Sequence, residues 1–138
     1  MENLYSDKEI PFIFSQISNP YLKICYDTGH RNFLTPEFEI CKQYGKNVSV
    51  LHIHENNGLI DEHKKLSYGS NVYNKLVKEL SFLNSKIDLS NEIKYNDNDC
   101  AKYLKSNLDC LNQLEKIYTR YIEHKLVILM IAQIKETP

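Results

Sequence analysis

Within twelve residues the chain places three imidazoles and a set of acids, in His52-Ile-His-Glu-Asn-Asn-Gly-Leu-Ile-Asp-Glu-His63. Histidine, aspartate and glutamate are the side chains that hold divalent metals and move protons near neutral pH. The flanks are equally informative. Asn47-Val-Ser-Val-Leu-His52 alternates like a strand, and a polar loop containing Gly58 follows His54. Ligands at the end of a strand that runs on into a loop are how barrel enzymes build their sites.

Taken alone, His52 and His54 on one strand face are more often a structural or surface pair than ligands. Asp27, Asp61 and His63 in the loop, and Glu92 in Ser90-Asn-Glu92 reverse that balance, while His30 in Asp27-Thr-Gly-His30 suits a turn residue and a functional one equally. The elements that must position them alternate between strand and helix patterns. Pro20 to Tyr26 reads as a strand with Leu22, Ile24 and Tyr26 on one face, and Asp27 to His30 as its terminal loop. Pro36 to Tyr44 suits a short helix, with Thr35 as N-cap, Pro36 at the first helical position and Gly45 as a stop. Asn47 to His54 is a second strand, with Val48, Val50, His52 and His54 on one face and Ser49, Leu51 and Ile53 on the other. Val72 to Asn84 is an amphipathic helix carrying Val72, Leu76, Leu80 and Leu83 at helical spacing. Ile87 to Ile93 is a third strand with Asp88, Ser90 and Glu92 on one face. Asp97-Asn-Asp99 offers N-caps to a long helix striped by Leu104, Leu108, Leu111, Leu114 and Tyr118. Tyr121 to Ile134 is apolar and partly β-branched, and fits either a helix extension or a strand.

Such alternation predicts an α/β fold of parallel strands with covering helices. A closed (β/α)8 barrel of this class takes about 250 residues, and roughly 200 at the least. A chain of 138 residues is too short to close one by itself.

The ordered series resembles the sugar phosphate isomerase/epimerase family, with its xylose isomerase-like TIM barrel, to which the apurinic-site endonucleases are related. The resemblance covers the C-terminal half of that barrel, from Met1 to about Glu115, and leaves 116–138 as a helical or apolar extension. Glu2-Asn3 resembles the end of the family's fourth strand, and Cys25-Tyr-Asp-Thr-Gly-His30 the fifth. His52-Ile-His-Glu-Asn-Asn-Gly58 resembles the sixth, Asp61-Glu-His63 the loop beyond it, and Ser90-Asn-Glu92 the last strand. The chain departs from the family in having Glu55 where Asp is usual, and Ser67-Tyr-Gly69 where a glycine pair is usual. The resemblance implies Glu2, Asp27, His52 and Glu92 as ligands of one divalent metal ion, Mn²⁺, Mg²⁺ or Zn²⁺. It implies Glu2 and Glu92 as the catalytic carboxylates that remove and return a proton beside a carbonyl. It gives His30, His54, Asp61 and His63 supporting roles, binding substrate or orienting ligands.

Bulk properties bound the reading. A net charge of -1 argues against a strongly basic nucleic-acid surface. Cys25, Cys41, Cys100 and Cys110 form no CxxC pair, so small core hydrophobes are expected rather than a structural zinc site. Met1-Glu-Asn lacks the basic start and apolar core of a signal peptide, and a cytoplasmic protein is expected. The longest apolar run, Leu126 to Ala132, falls far short of the ~20 residues that span a bilayer.

The leading expectation is thus a metal-dependent isomerase or epimerase acting on a sugar or sugar phosphate through an enediolate. The alternatives are phosphodiester cleavage at abasic sites on a multi-zinc centre, and a non-catalytic half barrel that needs a partner. A half barrel leaves open sheet edges, so a homo-oligomer or a complementing N-terminal half is expected.

Overall fold

The computed structural model describes residues 8–83, 86–94 and 100–136, the last stretch without the side chains of 100, 103 and 124–136. Three short strands, β1 (Ile24–Asp27), β2 (Val48–Ile53) and β3 (Asp88–Asn91), form one parallel sheet in the order β1-β2-β3. Parallel neighbours need a crossover between them. Here α2 (Thr28–Leu34) and α3 (Ile40–Tyr44) lie between β1 and β2, and α4 (Asn71–Leu80) lies between β2 and β3. A helix α1 (Glu9–Gln16) precedes the sheet, and α5 (Cys100–Glu136) follows it.

The strand alternation sorts side chains as the sequence implies. Tyr26, Leu51 and Ile53 are fully buried beneath the helices, where Leu76 and Leu80 of α4 and Leu114 of α5 meet them. The opposite face carries Cys25 and Val50, which remain wholly or partly accessible, and it leads upward to Asp27 and His52. The register aligns Asp27 with His52, and His52 with Ser90, so the three strands deliver their chemistry at one level.

Local signals explain most element boundaries. The Ser70 hydroxyl accepts the Tyr73 N–H at 3.1 Å and caps α4. The Asp27 carboxylate accepts the His30 N–H at 2.8 Å and opens α2 directly from the end of β1. The stretch after Asp27 is therefore a helix start, not the loop its Thr-Gly composition suggests. Thr35 does not cap the next helix. Its carbonyl accepts the Phe38 N–H at 3.1 Å, closing a turn over Pro36, and α3 begins only at Ile40.

The tail is helical. No glycine or proline interrupts 100–136, so α5 runs on through Tyr121 to Ile134. Asp97 and Asp99, the expected caps, lie outside the described residues. Cys41 and Cys110 sit in the core as expected, but Cys25 is exposed. Among the described residues no helix is long and apolar enough to cross a membrane.

Leu76, 1% exposed, packs between the sheet and the flanking helices. Leu76→Ala is expected to lower stability by about 2–5 kcal/mol, the usual cost of a large core truncation. Urea denaturation followed by circular dichroism measures it.

Candidate metal centre

Two groups of ligand-type side chains lie at the C-terminal ends of the strands, each with donor atoms within 4.8 Å of one another. The first is Asp27, His52 and Glu92. Parallel register places Asp27 beside His52. Glu92 lies just beyond β3, where its N–H still donates to the Ile53 carbonyl at 3.2 Å. Its carboxylate reaches His52, with Nδ1 to Oε1 at 2.7 Å, and the same nitrogen is 3.9 Å from Asp27 Oδ2. Asp27 is buried, while the side chains of His52 and Glu92 are about one-third exposed, at 31% and 32%. One ligand is thus fixed in the interior and two face an open approach.

The second group is His30, His54, Asp61 and His63. His30 comes from the first turn of α2, His54 from the residue after β2, and Asp61 and His63 from the following loop. Asp61 Oδ2 lies 2.8 Å from His63 Nε2 and 3.3 Å from His30 Nε2. The His54 and His63 rings stack, with centroids 4.0 Å apart and planes 6° from parallel. Asp27 joins the two groups, since its Oδ2 is 3.2 Å from His30 Nδ1 and its Oδ1 is 3.0 Å from His54 Nε2.

The loop that carries this second group is tightly constrained. Glu55 and Lys64 pair antiparallel through N–H···O bonds of 2.7 and 2.8 Å. Buried Asn56 donates to the Gly29 carbonyl at 2.7 Å and accepts the Gly58 N–H at 2.9 Å, tying the loop to α2. His63 adopts a positive φ of 49°, uncommon for a residue with a Cβ. Three contacts hold it there: Nδ1 to the Glu92 carbonyl at 2.6 Å, Nε2 to Asp61, and its own carbonyl accepting the Lys94 N–H at 2.8 Å.

The electrostatics fit a cation. Burial pushes the Asp27 carboxyl upward, but the His54 side chain, the His30 N–H and the neighbouring imidazoles outweigh it and leave it below its ordinary value. For Asp61, too, burial acts upward and His30 and His63 outweigh it. Asp27 Oδ2, Asp61 Oδ1 and both ring nitrogens of His54 are buried without an aligned hydrogen bond, although His54 Nε2 is 3.0 Å from Asp27 Oδ1 and His54 Nδ1 is 3.8 Å from Asp61 Oδ1. Buried polar atoms of native folds are normally satisfied. Carboxylate oxygens and ring nitrogens that converge with part of their hydrogen-bonding capacity unused are an arrangement that a divalent ion could complete.

The structure therefore brings Asp27, His52 and Glu92 together, as the sequence resemblance implies. It also gathers His30, His54, Asp61 and His63 into a ligand-like set of their own, beyond the supporting role expected for them. Glu2 lies outside the described residues. Sequence reasoning did not single out Thr28, Gly29 or Asn56. The Thr28 hydroxyl donates to the carbonyl of His52 at 3.2 Å and fastens α2 to β2. Asn56 carried a readable signal, because asparagine two residues before a glycine favours this kind of side-chain turn. Gly29 carried none. A Cβ there would lie 2.0 Å from Cε1 of the His54 ring, so only glycine leaves room for that imidazole.

No family model matches the chain. Two curated relatives do. The uncharacterized protein y4fM of Sinorhizobium fredii is 27% identical over 81 residues, covering 58% of this chain and 26% of the relative. The uncharacterized protein MJ1614 of Methanocaldococcus jannaschii is 36% identical over 73 residues, covering 51% of this chain and 29% of the relative. The matched part of the chain thus spans little more than a quarter of the length of each. No solved structure matches.

Gly29→Ala is expected to displace His54 and weaken ion binding at the second group. Alanine is otherwise the better helix former, so the collision itself is what the substitution tests. Metal titration monitored by the histidine ring proton resonances should show His54 and His63 no longer responding, while His52 still does.

Proposed function

We propose that this chain is the metal-binding part of a sugar isomerase or epimerase, built as a portion of a (β/α)8 barrel. The observation that carries the reading is the meeting of Asp27, His52 and Glu92 at the C-terminal edge of parallel strands, with Glu92 accessible. Sites of (β/α)8 enzymes lie at that edge. Two carboxylates and one imidazole suit Mn²⁺ or Mg²⁺, and Glu2 would add a third carboxylate. When bound, the ion supplies positive charge that stabilises an enediolate.

The protein's own groups account for the proton. Glu92 is the base, removing the proton from the carbon beside the substrate carbonyl and returning it to the former carbonyl carbon, while the proton of the adjacent hydroxyl passes to the former carbonyl oxygen. His52 Nδ1, 2.7 Å away, belongs with that carboxylate to the same candidate ligand set. If Glu2 stands on the opposite side of the substrate, a second base gives epimerisation, whereas Glu92 alone gives isomerisation. The rest of the pocket wall is supplied by a complementing N-terminal half or by a second copy of the chain.

A specific observation favours a second reading. The group His30, His54, Asp61 and His63 offers three imidazoles and a carboxylate, a set suited to Zn²⁺. Two adjoining ions would fit hydrolysis of a phosphodiester. The net charge of -1 gives this reading less support.

Both readings are tested on the 138-residue chain. With Mn²⁺ and ketose or aldose phosphates in D₂O, deuterium should enter the substrate beside its carbonyl. Glu92→Gln should slow that exchange by about 10²–10⁴-fold, the usual contribution of a general base. Exchange that persists unchanged in the variant removes Glu92 from the role. Bound metal measured after dialysis separates the alternatives: one ion per chain favours the isomerase, and two or more favour the phosphodiesterase.

A further inference from the structure

We infer that Tyr26, Arg31 and Glu79 form a positioning network that sets how Asp27 and His30 present their donor atoms, an inference that rests on the metal-binding reading of the site. The three side chains close a triangle behind the centre. Arg31 Nε donates to the Tyr26 hydroxyl at 2.8 Å, and Arg31 Nη2 lies 3.2 Å from both oxygens of Glu79. The Tyr26 hydroxyl in turn donates to Glu79 Oε2 at 2.7 Å. All three residues are buried, and they come from β1, α2 and α4.

Their sequence positions interleave with the ligands. Tyr26 precedes Asp27 and Arg31 follows His30. On a strand, neighbouring side chains point to opposite faces, so anchoring Tyr26 on the helix side holds Asp27 on the site side. On α2, anchoring Arg31 sets the rotation of the turn that carries His30. Asp27 caps that same turn. The angle between β1 and α2 therefore decides where the Asp27 oxygens and the His30 ring nitrogens meet.

Stability alone is a poor account of this arrangement. Replacing a buried ion pair with well-packed apolar groups is often neutral or stabilising. Arg31 Nη1 has no hydrogen-bond partner in the interior. Burial pushes the Glu79 carboxyl above its usual range, and Arg31 only partly draws it back. A planar guanidinium fork does, however, fix the relative placement of the three elements it joins. Metal ligation is sensitive to such placement, because ligand distances tolerate shifts of only about 0.2 Å.

The test uses Co²⁺ as a visible probe and Zn²⁺ affinity by chelator competition, both on the 138-residue chain. Tyr26→Phe keeps the ion pair and removes the two hydrogen bonds made by the Tyr26 hydroxyl. The double variant Arg31→Met, Glu79→Leu removes both charges together and so avoids an unpaired buried charge. Ile87→Ala, a buried position just before β3 and off the three elements the network joins, controls for general loss of stability. The expected result is a Zn²⁺ affinity about 10–100-fold weaker in the double variant, a smaller loss in Tyr26→Phe, and an altered Co²⁺ absorption spectrum in both. The Ile87→Ala control should keep the unaltered chain's affinity and spectrum. Unchanged affinity and spectrum in Tyr26→Phe together with the folded double variant would overturn the inference. Should the double variant not fold, unchanged binding by Tyr26→Phe alone overturns it. If the unaltered chain binds neither ion, the metal reading itself fails and takes the inference with it.

Discussion

The carboxylate of Asp27 is the point on which the remainder of the centre hangs. It ends β1, accepts the His30 N–H in the first turn of α2, and lies within 3.9 Å of ring nitrogens from His30, His52 and His54. Such a buried charge is tolerable only when it is surrounded by donors and opposite charge. Parallel pairing supplies one neighbour by aligning Asp27 with His52. The cap supplies another by turning the chain sharply at Thr28, so that His30 comes back over the carboxylate that started the helix. The residue is thus a local folding signal and a candidate ligand at once, and the two roles demand the same orientation.

The loop from Glu55 to Lys64 complements this centre by being rigid where loops are usually not. Its ends are zipped by a backbone pair, its first turn is closed by Asn56, and its last histidine holds a left-handed conformation. Conformations of that kind cost on the order of 1–3 kcal/mol and persist where the surroundings over-determine them. Here three hydrogen bonds do so, and two of them run to the segment after β3. The orientation of His63 thus depends on the third strand, although the residue itself lies far from it in sequence.

Much of this was legible in the chain before any coordinates. The strand alternation at Asn47 to His54 gave β2 and its buried Leu51 and Ile53 because a period of two leaves little freedom once one face is covered. The family resemblance singled out Asp27, His52 and Glu92, and these three side chains lie together. Other features depend on interactions that no local pattern records. Asp27-Thr-Gly-His30 has the composition of a loop, and only the side-chain cap makes it a helix. The turn at Thr35 delays α3 because a carbonyl was taken by Phe38 instead of by the helix. The tail was ambiguous since apolar β-branched residues suit strands and helices alike, and the absence of breakers decided it. The grouping of His54 with His30 and His63 rests on the missing side chain at Gly29, which is visible only when the two elements are laid together.

Sharing one carboxylate between two ligand groups has a thermodynamic consequence. An ion at either group competes for the electron density and orientation of Asp27, so occupancy of one alters the free energy of filling the other. Linkage requires that effect to be reciprocal: whatever factor the first ion imposes on the second, the second imposes on the first. Like charges held close oppose one another, whereas a carboxylate already turned and desolvated by one cation is prepared for its neighbour. Were both groups filled, the sign of the coupling would be set by which of these prevails.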